Sequence, residues 1–272
     1  MKNRFIVLID FSPYSEPLLR FAYDWGKRID AEIVLVHNTI VLSPVMSPRE
    51  SKIELINIAN SNALQRLKEC AEAVLPKGTP FERIVSEIEL VIQLRQLLQE
   101  PFNNLVFLGI KGTGLLKKIF IGSQAVNVID SIDNLIVAVP KNAGCCPHES
   151  IHVAVQKNYP LNIIDFNKFL NFTGDEINRI AFFSVVTPDD DLVSTENYLK
   201  ELAGLYSDKR DISYRIYEGN SAFEDLKGII LKKKDEYIVV QRGSRTFLDQ
   251  MFRKFLINEL VYEGDTPLII LP

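Results

Sequence analysis

Short runs of consecutive apolar residues alternate along the chain with longer stretches in which apolar positions recur every three or four residues. The first run, Phe5–Ile9, is almost continuously apolar, as a parallel strand buried on both faces requires. Asp10-Phe-Ser-Pro-Tyr-Ser follows, with Ser12 a candidate N-cap and Pro13 suited to a first helical position. Leu18, Leu19, Phe21, Ala22 and Trp25 then mark the apolar face of a helix ending near Arg28. The same alternation predicts strands at 33–36, 81–85, 105–108 and 135–139, separated by helices near 47–74, 88–98 and 123–132. Ser47-Pro48-Arg49-Glu50 has the spacing of a capping box at the start of the longest of these helices.

The order then recurs. Strands are expected near 151–155, 180–186, 212–217, 237–240 and 268–271, with helices near 161–170, 192–205, 222–234 and 248–262. The two units also close alike, Asn134-Leu-Ile-Val-Ala-Val-Pro140 against Thr266-Pro-Leu-Ile-Ile-Leu-Pro272. Self-similarity on the scale of a whole domain indicates duplication, not a solenoid. The turn-rich stretch Lys141–His148 divides the chain into expected domains 1–142 and 149–272. Strands alternating with helices define the fold class: α/β, two tandem doubly wound domains, each a parallel sheet with helices on both faces. Ligands of such sheets sit at the carboxyl ends of strands where strand order reverses. Asp10, after the first strand, and Gly109 onward, after the fourth, are the candidate walls of that crevice.

Composition narrows the function classes. A net charge of −4 argues against a nucleic acid or an anionic membrane engaged through bulk charge, so any anion site must be local. No apolar stretch approaches the ~18 residues that span a bilayer, and the run Phe5–Ile9 is too short for a secretory signal. Three cysteines do not make a disulfide framework. The expected location is the cytoplasm.

Candidate chemistry concentrates in Gly109-Ile-Lys-Gly112-Thr-Gly-Leu-Leu-Lys-Lys-Ile-Phe-Ile-Gly122-Ser123. Glycines let backbone N–H groups approach an anion, and Gly122-Ser123 stands where a helix N-terminus offers unpaired donors and a positive dipole end. Lys111, Lys117 and Lys118 lie in the loop, and no acidic residue occurs between Gly109 and Gln124. The third glycine of a dinucleotide fingerprint is missing, and there is no Gly-Lys-Ser/Thr as in a P-loop. Loop physics alone leaves two readings open, a phosphate cradle and a connecting loop whose glycines only turn the chain.

The spacing Gly109-x2-Gly112-x9-Gly122-Ser123 fits the G-2x-G-9x-G-(S/T) signature of the ATP-binding universal stress proteins, with every gap the right length. Asp10-Phe-Ser12, Leu35-Val-His37 and the strand closing each unit match as well. The chain thus resembles a tandem universal stress protein, through motifs in the first half and mainly by pattern in the second. The resemblance implies a five-stranded parallel sheet per unit. It also implies an adenine nucleotide (ATP, ADP or AMP, with Mg²⁺ beside a triphosphate) across the crevice of strands one and four. Asp10, flanked by Phe11 and Ser12, would contact the adenine side, and the backbone from Val36 to Asn38 would line the base pocket. Gly109, Gly112, Gly122 and Ser123, with their neighbours Lys111 and Gln124, would hold ribose and phosphates.

The function implied is stress-response regulation through a bound nucleotide. The alternatives are a nucleotide-independent protein-interaction module, or slow ATP hydrolysis or phosphotransfer, for which no general base stands out. The resemblance further implies that the closing strands can pair within the chain, 135–139 against 268–271, as an intramolecular pseudo-dimer. Self-association beyond that, or a protein partner, stays open.

Two stretches depart from the family pattern. Where members often carry a glycine after the third strand, the chain reads Val85-Ser-Glu87-Ile-Glu89, two carboxylates expected to narrow the site or repel phosphate. Aligning the closing strands sets Gln241, Ser244, Lys254 and Phe255 opposite Gly109, Gly112, Gly122 and Ser123, and Gln156 opposite Asp10. The second unit is therefore expected not to bind nucleotide. Elsewhere, Cys145-Cys-Pro-His148 with His152 reads as a boundary turn, not a metal site. His37 reads as a packed or capping histidine, and Asp189-Asp-Asp191 as a helix start whose carboxylates cap N–H groups.

Overall fold

A computed structural model describes residues 1–41, 48–110, 123–144, 149–186, 188, 190–218, 236–242 and 266–272. The first half runs β1 (Lys2–Leu8), α1 (Ser15–Gly26), β2 (Glu32–Asn38), α2 (Arg49–Val74), β3 (Glu82–Ser86), α3 (Leu90–Leu98), β4 (Phe102–Ile110), α4 (Ser123–Ser131) and β5 (Ile136–Pro140). The second runs β6 (Ser150–Ala154), α5 (Ile163–Thr173), β7 (Arg179–Val186), α6 (Leu192–Tyr206), β8 (Asp211–Glu218), β9 (Glu236–Gln241) and β10 (Leu268–Leu271). The helices expected at 222–234 and 248–262 and the stretch Cys145–His148 lie outside the described residues.

All ten strands join one sheet in the order β3-β2-β1-β4-β5-β10-β9-β6-β7-β8. Each half has the doubly wound order third-second-first-fourth-fifth, and its neighbours pair in parallel. The halves meet at β5 and β10, which pair antiparallel with Val137 opposite Ile269. Register also fixes which positions correspond. Gly109 lies opposite Val139 on β5, and Gln241 opposite Leu271 on β10. On the other side Phe107 faces Val7, and Val239 faces Val153. Gln241 thus holds the place of Gly109.

The inner strands are buried on both faces, which is why they read as unbroken apolar runs, while the edge strands β3 and β8 stay exposed or half-buried along most of their length. Phe5 and Val7 of β1 point into one layer and Ile6 into the other, as a side-chain period of two demands. The first layer runs across both halves, joining Leu19 and Trp25 of α1 to Phe166 and Phe169 of α5 and Tyr237 of β9. Trp25 is the joint there. Its indole Nε1–H donates to the Phe172 carbonyl at 2.7 Å, and its ring stacks on Tyr237 with centroids 5.4 Å apart. On the other layer, Arg242 after β9 donates to the Ile129 and Ile132 carbonyls and to Asp133 of the first half.

Several local expectations shift. α1 starts at Ser15, not just after Ser12. Ser12 to Tyr14 instead forms a turn in which the Ser15 N–H donates to the Ser12 carbonyl at 3.0 Å. The N-cap of α2 is Pro48, without a side-chain cap, and Ser47 is outside the described residues. Asp191 does cap α6, accepting the Ser194 N–H at 3.1 Å, a bond that also lowers its carboxyl pKa. His152 of β6 pairs with Glu236 of β9, and among the described residues no three or more His, Cys, Asp or Glu side chains gather as a metal site. No helix among them is long and apolar enough to cross a membrane.

Candidate functional site

Where strand order reverses, between β1 and β4, the carboxyl ends of β1, β2 and β4 frame a cavity of about 450 Å³. Its described walls include Leu8, Ile9, Asp10, Ser12 and Tyr14 after β1, and Val36, His37 and Asn38 at the end of β2. Leu108 and Gly109 of β4 and Gln124, Ala125 and Val128 of α4 complete the opposite side. The first turn of α4 therefore opens onto the cavity, and a helix N-terminus favours an anion there.

The turn after β1 shapes one wall. The Ile9 N–H prolongs the parallel pairing by donating to the Val36 carbonyl at 2.9 Å, and the chain then swings through a left-handed Phe11, φ +57°. For a residue with a Cβ this conformation costs roughly 1–2 kcal/mol. Asp10 offsets part of that, accepting from the Ser12 N–H at 2.9 Å and the Ser15 hydroxyl at 3.2 Å. The carboxylate thus braces the turn into α1 while lining the cavity.

Gly109 sits inside β4, where the start of α1 crosses the strand, and a Cβ there would lie 3.4 Å from Tyr14 Cβ and 3.9 Å from Leu18 Cδ2, both ordinary packing distances. Among the described residues only Gly78 and Gly174 are glycines with positive φ.

At the end of β2, the Asn38 amide donates to the carbonyls of Ser86 at 3.0 Å and Ile88 at 2.6 Å, fastening the turn between β3 and α3. His37 Nδ1–H donates to the Ile9 carbonyl at 2.7 Å, which leaves Nε2 with its lone pair. Burial pushes the His37 pKa down, and the nearby Arg66 charge adds to this, against the raising effects of the Ile9 bond and of Asp10. The ring packs on Phe11 (centroids 4.3 Å apart), and Phe11 in turn lies under the Arg66 guanidinium at 4.0 Å. Phe11 thereby lines a separate, shallower hollow with Arg66, Glu69 and Cys70.

Asp10, Ser12, Val36, Asn38, Gly109 and Gln124, all singled out in the sequence, meet around one cavity. Phe11 does not line it. Ser123 opens α4, while Lys111, Gly112 and Gly122 are outside the described residues. The two carboxylates in place of the family glycine stand apart from the cavity walls. Glu87 accepts from Asn60 of α2 and Glu89 from Asn127 of α4, each at 3.3 Å. Tyr14, Leu18, Ile40 and Leu90 also form walls, and no motif marks them.

At the corresponding place in the second half, the Gln241 side chain bonds to the segment leading into α5. Its Oε1 accepts the Asn162 N–H at 2.6 Å and its Nε2 donates to the Pro160 carbonyl at 3.3 Å.

Fold and cavity together define a doubly wound α/β protein with its crevice at the point of strand reversal. A profile of the universal stress protein family matches residues 1–140, half of the chain, and the chain belongs to that family. Three solved structures share the fold at low identity. A universal stress protein from Archaeoglobus fulgidus is 14% identical over 100% of this chain and 98% of its own, with a TM-score of 0.67. A putative universal stress protein from Pseudomonas aeruginosa is 11% identical over 99% and 93%, with a TM-score of 0.57. The cytoplasmic domain of a prokaryotic cation chloride cotransporter is 13% identical over 99% and 95%, with a TM-score of 0.56. No curated protein matches the sequence.

Proposed function

We propose that this member of the stress-response family is a cytoplasmic regulator that binds one adenine nucleotide per chain in the cavity of its first half. Residues 1–142 and 149–272 are its two domains. The observation that carries the reading is the convergence of Asp10, Ser12, Val36, Asn38, Gly109 and Gln124, distant in sequence, on one cavity at the strand-order reversal. Its volume falls in the range of small-molecule sites, and Leu8, Leu18, Val36, Leu108 and Val128 offer apolar walls for a base. Both amide donors of Asn38 are engaged, so the base meets backbone groups and apolar surface at the end of β2. Ribose and phosphates extend toward Ser123 and the glycine loop. Mg²⁺ would arrive with a triphosphate, since no described carboxylate cluster provides a cage for it. Gln241 in the place of Gly109, with its side chain bonded to Asn162 and Pro160, supports a stoichiometry of one.

The experiment is a thermal shift with ATP, ADP and AMP, together with analysis of any nucleotide that copurifies. A saturable stabilisation is expected, about 2.7 kcal/mol at a hundredfold excess over Kd. Gly122→Glu, which sets a carboxylate against the phosphates, should remove it. No shift with any of the three nucleotides would sink the reading. One observation favours the second reading, an interaction module without nucleotide: Asp10 is a carboxylate, and no lysine or arginine is among the described cavity walls. Phosphate release above background, lost in Gly122→Glu, would instead point to slow hydrolysis.

A further inference from the structure

We propose that Lys141 is a cation that receives the polyphosphate of the bound nucleotide, and so sets a preference for ATP and ADP over AMP and adenosine. The proposal rests on the nucleotide reading of the first cavity. A nucleoside triphosphate brings several negative charges into a chain of net charge −4. The charged group among the described walls of the cavity is Asp10, of the same sign as the phosphates. A cation at the rim would offset that repulsion, beside the loop lysines and any Mg²⁺ that the nucleotide brings.

Lys141 is placed for this by the sheet. It directly follows β5, whose last residues Val139 and Pro140 lie opposite Gly109 and Ile110 at the end of β4. The lysine therefore emerges beside the strand end from which the glycine loop departs. Its ammonium lies 5.9 Å from the centroid of the Tyr14 ring, and Tyr14 is itself a cavity wall, packed over Gly109. The ring holds the cation beside this cavity wall, by an attraction weak enough at an exposed site to be exchanged for a phosphate. Lys141 is exposed and makes no ion pair among the described residues. Arg66, the other cation stacked on a ring near the site, lies over Phe11 in the adjoining hollow, which shares Ser12 and Ser15 with the cavity, and is not itself among the cavity's described walls.

The test is titration of the full chain and of Lys141→Gln and Lys141→Arg with ATP, ADP, AMP and adenosine. Loss of a charge-assisted contact predicts that Lys141→Gln binds ATP about fivefold more weakly, ADP somewhat less so, and adenosine unchanged. Lys141→Arg should stay within about twofold of the unaltered chain, because it keeps the charge. The gap between the unaltered chain and Lys141→Gln should narrow between about 0.05 M and about 0.5 M salt. An unchanged ATP affinity in Lys141→Gln, or an equal loss for adenosine, overturns the assignment while leaving the nucleotide site standing. If the unaltered chain binds none of the four ligands, the nucleotide reading fails and the assignment with it.

Discussion

At the scale of single residues, Gly109 and His37 show how far chemistry can be read from a string. The spacing of Gly109 marks it as a glycine that either brings backbone N–H groups to an anion or turns a loop. In the fold it is a residue of β4 beneath Tyr14 at the start of α1, a neighbour that comes from a distant part of the chain and leaves no local trace. The roles of Glu87 and Glu89 were illegible for the same reason, since their orientation follows from Asn60 and Asn127 on other elements. His37 was legible as a packed histidine, and its environment gives a prediction. Burial holds its folded pKa below the usual value, so the folded state resists the proton that the unfolded chain accepts. Its contribution to stability is complete above about pH 6.5 and is lost as pH falls from there through the lowered folded value. A ring titration followed by NMR should show a midpoint below that of an exposed histidine. Denaturation midpoints of His37→Asn should fall less than those of the unaltered chain between neutral and mildly acid pH. A midpoint at or above the usual value would contradict the account.

At the scale of elements, described strands fall close to the apolar runs that announced them, because strands buried on both faces carry their signal in consecutive residues. Helix starts were less legible. Ser12 and Pro13 looked like a cap and a first helical position, yet the left-handed Phe11 and the Asp10 brace use both residues in a turn before α1 begins. Six residues to which the family motifs point line the one cavity. The walls Tyr14, Leu18 and Leu90 were missed, since apolar wall residues resemble any other core position. Gln241 was legible as a departure, but its action was not. Its two hydrogen bonds tie β9 to the segment leading into α5. Gln241→Ala is expected to leave the Asn162 N–H without its partner and cost about 1–3 kcal/mol, read from denaturant midpoints. It should not create nucleotide binding, because in the aligned sequence Gln156 and Phe255 replace Asp10 and Ser123. Unchanged stability would mean that these two bonds are incidental.

At the scale of the molecule, the duplication visible in the sequence closes into a single sheet, through β5 against β10 and through contacts on both layers. Trp25 is buried at that junction and is the one tryptophan of the chain. Trp25→Phe removes a buried hydrogen bond to Phe172 and part of the stacking on Tyr237. A loss of about 1–3 kcal/mol is expected, measured by circular dichroism during urea unfolding. A wild-type midpoint in that variant would show that the halves do not depend on this joint. The same placement makes the indole an intrinsic optical gauge of whether the halves remain docked. Its emission should shift to the red as they part, without any label being attached. If docking and folding are one event, fluorescence and dichroism will trace one urea curve, and an emission shift that runs ahead would reveal a state in which each half keeps its helices while the seam has already opened.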